Sequence, residues 1–226
     1  MKPAEAIVLT RDTGAIAPLQ SANRVLRNTY WLLSLTLLFS AGAAAVTAAL
    51  QLPHPGIVIT LIGYFGLLFL TSRLRDSGWG LISVFGLTGF MGYTLGPIVS
   101  HYLAMPNGHQ VVAMAMGSTA AIFLGLSAYA TASRRDFSFL GGFLMTGIIV
   151  AFLAGLAAIF FAVPALSLTV SAAFVLLMAG LILYQTSQII HGGETNYVMA
   201  TVTLFVSIFN LFTSLLHLLG MGNSNE

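Results

Sequence analysis

The sequence predicts an all-α integral membrane protein with seven transmembrane helices. Of its 226 residues, 58% are hydrophobic and only 6% are charged, whereas soluble domains carry about a quarter charged residues. Its mean hydropathy is +0.94. The few charges fall in clusters, which are separated by charge-free tracts of 45, 57, 57 and 31 residues. Because a helix needs about 20 residues to cross the bilayer, the three long tracts each hold two spans and the last tract holds one.

Helix-breaking residues divide each long tract near its middle, at 53–55, 106–108 and 164. These positions predict tight, uncharged hairpins between consecutive spans. The predicted helices cover residues 29–50, 56–72, 79–102, 111–132, 138–162, 166–190 and 198–219.

All eight Lys and Arg residues fall on one side of the membrane in this arrangement. They lie in the N-terminal segment and in the loops 73–76 and 134–136, whereas the hairpins 51–55, 104–109 and 163–165 contain none. Basic loops stay in the cytoplasm. We therefore expect a cytoplasmic N-terminus and an external C-terminus.

The chain divides into three predicted parts. Residues 1–23 form a flexible cytoplasmic tail with no amphipathic period, residues 24–220 form the transmembrane domain, and residues 221–226 form a short external tail. A second interpretation makes residues 24–49 a secretory signal peptide. We favour a first span, because the apolar run is long enough to cross the membrane and because cleavage would invert the charge bias.

Small residues recur at helical spacing in three of the predicted helices. Such rows allow helix backbones to approach closely. We interpret them as contacts within one bundle, with an oligomer interface as the alternative. The rows are Gly86, Gly89, Gly92 and Gly96, then Gly117, Ala121 and Gly125, then Gly147, Ala151 and Gly155.

The composition argues against several kinds of chemistry. The chain has no Cys, so it forms no disulfide or thiolate metal site, and Lys2 is its only Lys, so no helix carries a retinal Schiff base. No charged residue lies at the centre of a predicted span, which argues against proton relays and voltage sensors. A hydrolase would need a nucleophile and a base, for which the candidates are the serines Ser118, Ser171, Ser207 and Ser214 and the histidine His217. Membrane serines, however, usually donate hydrogen bonds to carbonyl oxygens of their own helix. We expect no enzymatic activity, no cofactor and no nucleic-acid partner.

Four of the five histidines fall on the predicted outer side. A metal site or a pH sensor is conceivable there, because His titrates near neutrality and ligates metals. The sequence places no carboxylate or thiolate near these histidines. We therefore expect that they fall on the same side by chance and form no metal site. These residues are His54, His101, His109 and His217.

Two polar stretches stand out against the apolar background. Thr203, Ser207, Asn210 and Ser214 are spaced 4, 3 and 4 residues apart, so they form one stripe on the seventh helix. A polar stripe should face protein, which predicts a central seventh helix that either bonds its neighbours or lines a polar path. The second stretch is the predicted cytoplasmic loop after the sixth helix, which contains His191, Gly192, Gly193 and Glu194.

Four blocks of the sequence resemble the Bax inhibitor (TMBIM-type) family of seven-helix membrane proteins. The resemblance runs from about residue 23 to 220, and it is greater for a bacterial, inner-membrane branch that modulates the membrane protease FtsH. The last block is long and specific. The blocks are Val25 to Tyr30 with the following Leu-Leu-Ser-Leu-Thr-Leu, Thr88 to Pro97, Ser138 to Gly142, and Ile189 to Tyr197.

The resemblance implies a bundle in which the other six helices enclose the seventh. Calcium-leak members carry an aspartate in each of helices six and seven, and this pair gates a cation path according to pH. The matching positions here are Gln185 and Ser207, so both carboxylates are replaced. Two neutral side chains cannot share a proton, and we therefore expect little or no pH-gated Ca²⁺ flux.

The resemblance gives two hypotheses for function. The first is a non-enzymatic inner-membrane protein that binds FtsH and limits its action on other membrane substrates, offering residues 1–23 as a grip and a packed bundle that resists extraction. The alternative is a Ca²⁺ or H⁺ leak along helices six and seven. Flux through liposomes favours the leak, whereas co-purification with the protease favours the modulator.

Overall fold

The computed structural model describes residues 13–222, with the side chains of 22–221, and this part of the chain is helical without strands. Seven helices are long and apolar enough to cross a membrane, which confirms the predicted fold class. They are α1 (Thr13–Ala49), α2 (Ile57–Leu74), α3 (Trp79–Leu103), α4 (Gly108–Ser133), α5 (Leu140–Phe160), α6 (Pro164–Ile190) and α7 (Tyr197–Gly222).

The helix breaks fall at the predicted hairpins, and every boundary except one agrees with the prediction within three residues. The exception is the start of α1, which lies at Thr13 rather than near residue 29. Residues 19–30 contain neither Pro nor Gly, so no helix-breaking residue separates the segment after Pro18 from the span. Residues 13–23 of the predicted flexible tail are therefore helical.

Parts of both predicted tails lie outside the described residues, namely 1–12 and 223–226. The division of the chain at residues 23 and 220 therefore remains a prediction.

Helix α7 is the central element of the bundle. It packs against α1, α3, α4 and α6, whereas α2 packs mainly on α3, and α5 packs mainly on α6. Its side chains Leu204, Phe205 and Leu211 are fully buried in the main hydrophobic cluster. The expectation that six helices enclose α7 is thus met by four of them, because α2 and α5 form the outer sides of the bundle.

The glycine row of α3 brings this helix close to α1. A Cβ atom at Gly92 would collide with the carbonyl oxygen of Ser40, and one at Gly96 would collide with Thr47. A Cβ atom at Gly89 would press on the ring of Phe39. Close backbone approach of this kind is a main source of helix association in lipid, so the row serves packing inside the bundle as predicted.

The other two rows differ from each other. Gly147 and Gly155 of α5 face Leu177 and Val170 of α6, respectively. Gly117 and Gly125 of α4 have no heavy atom near the position of an added Cβ. The prediction of internal packing is therefore wrong for α4, because its glycine face points away from the neighbouring helices.

Candidate functional site

The loops after α2, α4 and α6 meet at one end of the bundle, which we call the basic end because it carries Arg73, Arg75, Arg134 and Arg135. Asn196 Nδ2 donates to Asp76 Oδ1 at 2.7 Å and to the carbonyl oxygen of Arg75 at 3.3 Å. This contact joins the segment before α7 to the loop between α2 and α3.

Asn196 is also the N-cap of α7. Its Oδ1 atom accepts hydrogen bonds from the backbone N–H groups of Val198 at 3.0 Å and Met199 at 3.1 Å. Glu194 Oε1 accepts from the N–H of Asn196 at 2.8 Å. This carboxylate orders the turn that leads into α7.

His191 and Ser187 hold the loop between α4 and α5 against the end of α6. The Ser187 hydroxyl accepts from the N–H of Phe137 at 3.0 Å and donates to the carbonyl oxygen of Arg135 at 3.2 Å. His191 Nε2 lies 3.1 Å from the carbonyl oxygen of Arg134, and its Nδ1 lies 2.9 Å from that of Ser187. The imidazole of His191 thus links the end of α6 to the loop between α4 and α5.

The two glycines after His191 have separate structural reasons. Gly192 has a φ of 76°, a left-handed conformation that favours glycine at the end of a helix. A Cβ atom at Gly193 would collide with the side-chain amide of Gln188. The N–H groups of Gly193 and Glu194 both donate to the carbonyl oxygen of Gln188, at 2.8 and 3.1 Å, so the chain turns tightly as it leaves α6.

At the basic end, the pKa of the Asp136 carboxyl group is lowered. The backbone N–H and then the hydroxyl of Ser138 hold the pKa of Asp136 below its usual value, and nearby His191 acts in the same direction. The N–H of Ser138 donates to Asp136 Oδ1 at 2.8 Å. The loop before α5 is therefore organised by an ionised carboxylate at neutral pH.

Gln185 and Ser207, where the resemblance led us to expect the counterparts of a carboxylate pair, are both buried but are not bonded to each other. Ser207 Oγ donates to the carbonyl oxygen of Thr203 at 2.7 Å, within α7. Gln185 Nε2 has no hydrogen-bond partner among the described residues. The structure therefore places no paired polar site at these two positions.

The polar stripe of α7 bonds its own helix. In addition to Ser207, Asn210 Nδ2 donates to the carbonyl oxygen of Val206 at 2.9 Å. Within the described part of the chain, neither Thr203 nor Ser214 bonds another helix. The expected interhelical bonds come instead from Thr201, whose hydroxyl lies 3.3 Å from the carbonyl oxygen of Thr29, and from His217.

Five buried polar atoms lack partners in the described part of the chain. All lie within two helical turns of the ends of α4 and α6 or in the first part of the α1 span, so they share a layer next to the basic end. Such groups are usually satisfied by small polar molecules such as water. Apart from Gln185, nothing in the sequence distinguishes these side chains from other membrane Ser, Thr and Tyr residues. The atoms are Thr29 Oγ1, Tyr30 OH, Ser127 Oγ, Gln185 Nε2 and Thr186 Oγ1.

Of the four possible serine nucleophiles, one is paired with the candidate base. Ser171 Oγ lies 2.8 Å from His217 Nδ1 and also donates to the carbonyl oxygen of Ser167 at 3.0 Å. In the described residues no carboxylate bonds His217, so the pair lacks the third group that orients a catalytic imidazole. It joins α6 to α7 near the end opposite the basic end.

The remaining histidines of the predicted outer side do not join this pair. His54 Nδ1 accepts from the N–H of Gly56 at 3.0 Å, and His101 contacts the ring of Tyr102. Among the described residues, no three or more His, Asp or Glu side chains are grouped so that they could hold a metal ion.

Comparison with known proteins identifies the family of this chain. The family described as inhibitor of apoptosis-promoting Bax1 matches residues 22–224. The chain belongs to the Bax inhibitor family. Its described residues form seven helices, and residues 185 and 207 are Gln and Ser.

Several bacterial members of the Bax inhibitor family are similar over nearly their whole length. The modulator of FtsH protease YccA from Escherichia coli K12 is 53% identical over 205 residues, which cover 91% of this chain and 93% of that protein. An uncharacterized Pseudomonas aeruginosa protein is 52% identical over 94% of this chain and 96% of its own. An uncharacterized membrane protein from Vibrio cholerae is 43% identical over 95% of this chain and 96% of its own.

Proposed function

We propose that this protein is a non-enzymatic modulator of an FtsH-type ATP-dependent protease in the bacterial inner membrane. The observation that carries the proposal is the 53% identity, over nearly the full length of both chains, to a protein named as a modulator of FtsH protease. The same relative in another E. coli strain is named an inner membrane protein, which supports the location.

The proposed mechanism is competition by a substrate that resists extraction. A membrane protease of this class pulls its substrate from one end, and we propose that residues preceding α1 provide the grip on the cytoplasmic side. Force applied there acts directly on α1. This helix is held by the close contact of Gly92 and Gly96 with Ser40 and Thr47, and it also packs against α7.

The connections at the basic end support the same mechanism. Asn196 ties the loop between α2 and α3 to α7, and Ser187 ties the loop between α4 and α5 to α6. Extraction of one helix therefore strains contacts on several others. A substrate of this kind occupies the protease for longer than a loosely packed protein would.

The alternative function, a pH-gated Ca²⁺ leak, is not favoured by the geometry. A divalent cation prefers carboxylate and carbonyl oxygens, whereas Gln185 and Ser207 present an amide and a hydroxyl that is bonded within its own helix. Glu194, the nearest acidic residue in sequence, is engaged with the N–H of Asn196.

The experiment compares the full chain with a variant that lacks residues 2–12, which precede α1. We expect the full chain to slow degradation of a second membrane substrate by the protease. The deletion is expected to lengthen the protein's own lifetime and to weaken its effect on the second substrate. Pulse-chase measurements in cells that contain the protease give both rates.

Two controls separate the parts of this proposal. A variant in which residues 2–12 are replaced by a scrambled sequence of the same composition keeps the length of the grip and should behave like the full chain. Unchanged turnover of the deletion variant would refute the grip. If the full chain neither slows degradation of the second substrate nor crosslinks to the protease in native membranes, the modulator function itself is wrong.

A further inference from the structure

A lateral cleft lies between α2 and α5, the two helices that pack least on the centre of the bundle. An edge contact of Phe65 in α2 with Phe152 in α5, whose ring centroids are 5.8 Å apart, joins these helices. Behind this contact is a cavity of about 400 Å³. Its floor is formed by Val206, Phe209 and Asn210 of the central helix α7.

The cleft opens sideways. The side chains of Phe65, Ile149 and Leu153 at its rim are 50%, 52% and 58% exposed, whereas Met91 and Met178 at its base are 6% and 2% exposed. All of these residues lie well inside membrane-spanning helices. The medium that meets the rim is therefore the hydrocarbon of the bilayer.

The surface of the cleft suits hydrocarbon and does not suit water. The Thr60 and Thr94 hydroxyls donate to carbonyl oxygens of their own helices, each at 2.8 Å. Asn210 Nδ2 does the same at 2.9 Å. The Tyr64 hydroxyl, the Asn210 side-chain oxygen and the second N–H of Asn210 remain. A buried water needs about two to four polar partners and occupies about 30 Å³, so these groups hold about one water and leave most of the cavity of about 400 Å³ without polar partners.

The volume of the cleft distinguishes between two apolar ligands found in a bilayer, a helix of another protein and the acyl chain of a lipid. A single helical turn is about 5.4 Å tall and about 10–12 Å wide with its side chains, so one turn would fill the whole cavity of about 400 Å³. A spanning helix of a partner protein cannot enter. An extended hydrocarbon chain is thin enough to pass the rim and reach the floor.

We propose that this cleft binds one acyl chain of a bilayer phospholipid, inserted between α2 and α5 until it contacts α7. The bound chain supplies the packing that α2 lacks on its α5 side. The site is independent of the proposed action on a protease, since none of its residues lies at the basic end.

The test uses the full-length protein in nanodiscs whose phospholipid carries a photoactivatable diazirine at the middle of one acyl chain. After irradiation, labelled residues are identified by mass spectrometry. We expect Val206, Phe209 and Asn210 to carry at least about tenfold more label than Leu204 and Leu211, because binding pockets bury their ligand against a few lining residues. Leu204 and Leu211 belong to the same helix and are fully buried, so they measure background.

A lower ratio would overturn the proposal, including the case in which label is confined to outward-facing residues such as Ile62. A matched pair of variants tests the route of entry. Leu153→Trp enlarges a side chain at the rim and should reduce labelling of the α7 floor by at least half, whereas Leu124→Trp makes the same change at a lipid-facing position of α4 and should not. Undiminished floor labelling in Leu153→Trp would also overturn the site. Label on Leu204 that stays at the background level of the parent chain shows that the core of the variants remains packed.

Discussion

At the scale of single residues, Asn196 performs two tasks that are usually given to different side chains. Its oxygen caps the first turn of α7, and its nitrogen binds Asp76 in the loop between α2 and α3. A neutral amide suits both tasks, because it has acceptor and donor atoms on one rigid plane. The start of the central helix is thus positioned relative to a neighbouring loop by one side chain.

We predict that Asn196→Ala lowers the free energy of unfolding by about 1–3 kcal/mol, since loss of an N-cap costs about 1 kcal/mol and loss of a further hydrogen bond costs a similar amount. Unfolding in detergent, followed by circular dichroism, measures this difference. Asn196→Ser keeps a capping oxygen but loses the bond to Asp76, so its stability should lie between those of the Ala variant and the parent chain.

Thr195→Ala serves as the control, because Thr195 is exposed and forms neither contact. An equal loss in the Thr195 and Asn196 variants would show that the two contacts do not stabilise this end of the bundle.

At the scale of helices, glycine rows with similar spacing have different surroundings. Gly92 of α3 lies against the backbone of α1, whereas Gly117 of α4 faces open space. Spacing determines which glycines share a face of their helix, but it does not determine what the face meets. Glycine therefore lowers the helix propensity of α4 without allowing a close contact inside the bundle.

We predict opposite effects for the same substitution at these two positions. Gly92→Ala places a methyl group against the carbonyl of Ser40 and should destabilise the protein by about 1–3 kcal/mol, the usual range for overpacking. Gly117→Ala meets nothing and should stabilise it by up to about 1 kcal/mol through helix propensity. Unfolding in the same detergent gives both values, and a stability loss of equal size in both variants would contradict the α1–α3 contact.

At the scale of the whole molecule, the distribution of charge gives the bundle a direction. The arginines of the described residues lie at the start of the α1 span, in the last turn of α2 and in the loops after α2 and α4. The structure brings these loops to one end. The opposite end carries the hairpins with His54 and His109 and no Lys or Arg among the residues described.

We predict that the basic end faces the cytoplasm and that the C-terminus is external, because basic loops are retained on the cytoplasmic side. A C-terminal alkaline phosphatase fusion should be active, since that reporter works only outside the cytoplasm, and a C-terminal green fluorescent protein should be dark. The reverse pattern would show that the protein is inserted in the opposite orientation.

The sequence by itself determined the number of helices and the positions of the hairpins. It also identified the stretch from His191 to Tyr197 as an unusually polar loop. These features depend on local properties, namely apolar length, helix-breaking residues and an unusual run of polar side chains, and each can be read along the chain. The start of α1 was missed because a charged segment can continue a helix beyond the membrane when nothing interrupts it.

Only the tertiary structure decided which groups meet. The partners of Asn196 and Ser187 lie about 120 and 50 residues away in the chain, and membrane serines are too uniform for sequence to pair Ser171 with His217. The cleft between α2 and α5 is likewise invisible in the sequence, because its apolar residues do not differ from those facing lipid elsewhere. In a bilayer, packing geometry rather than polarity separates the inside of a bundle from its outside, and that geometry exists only once the helices have assembled.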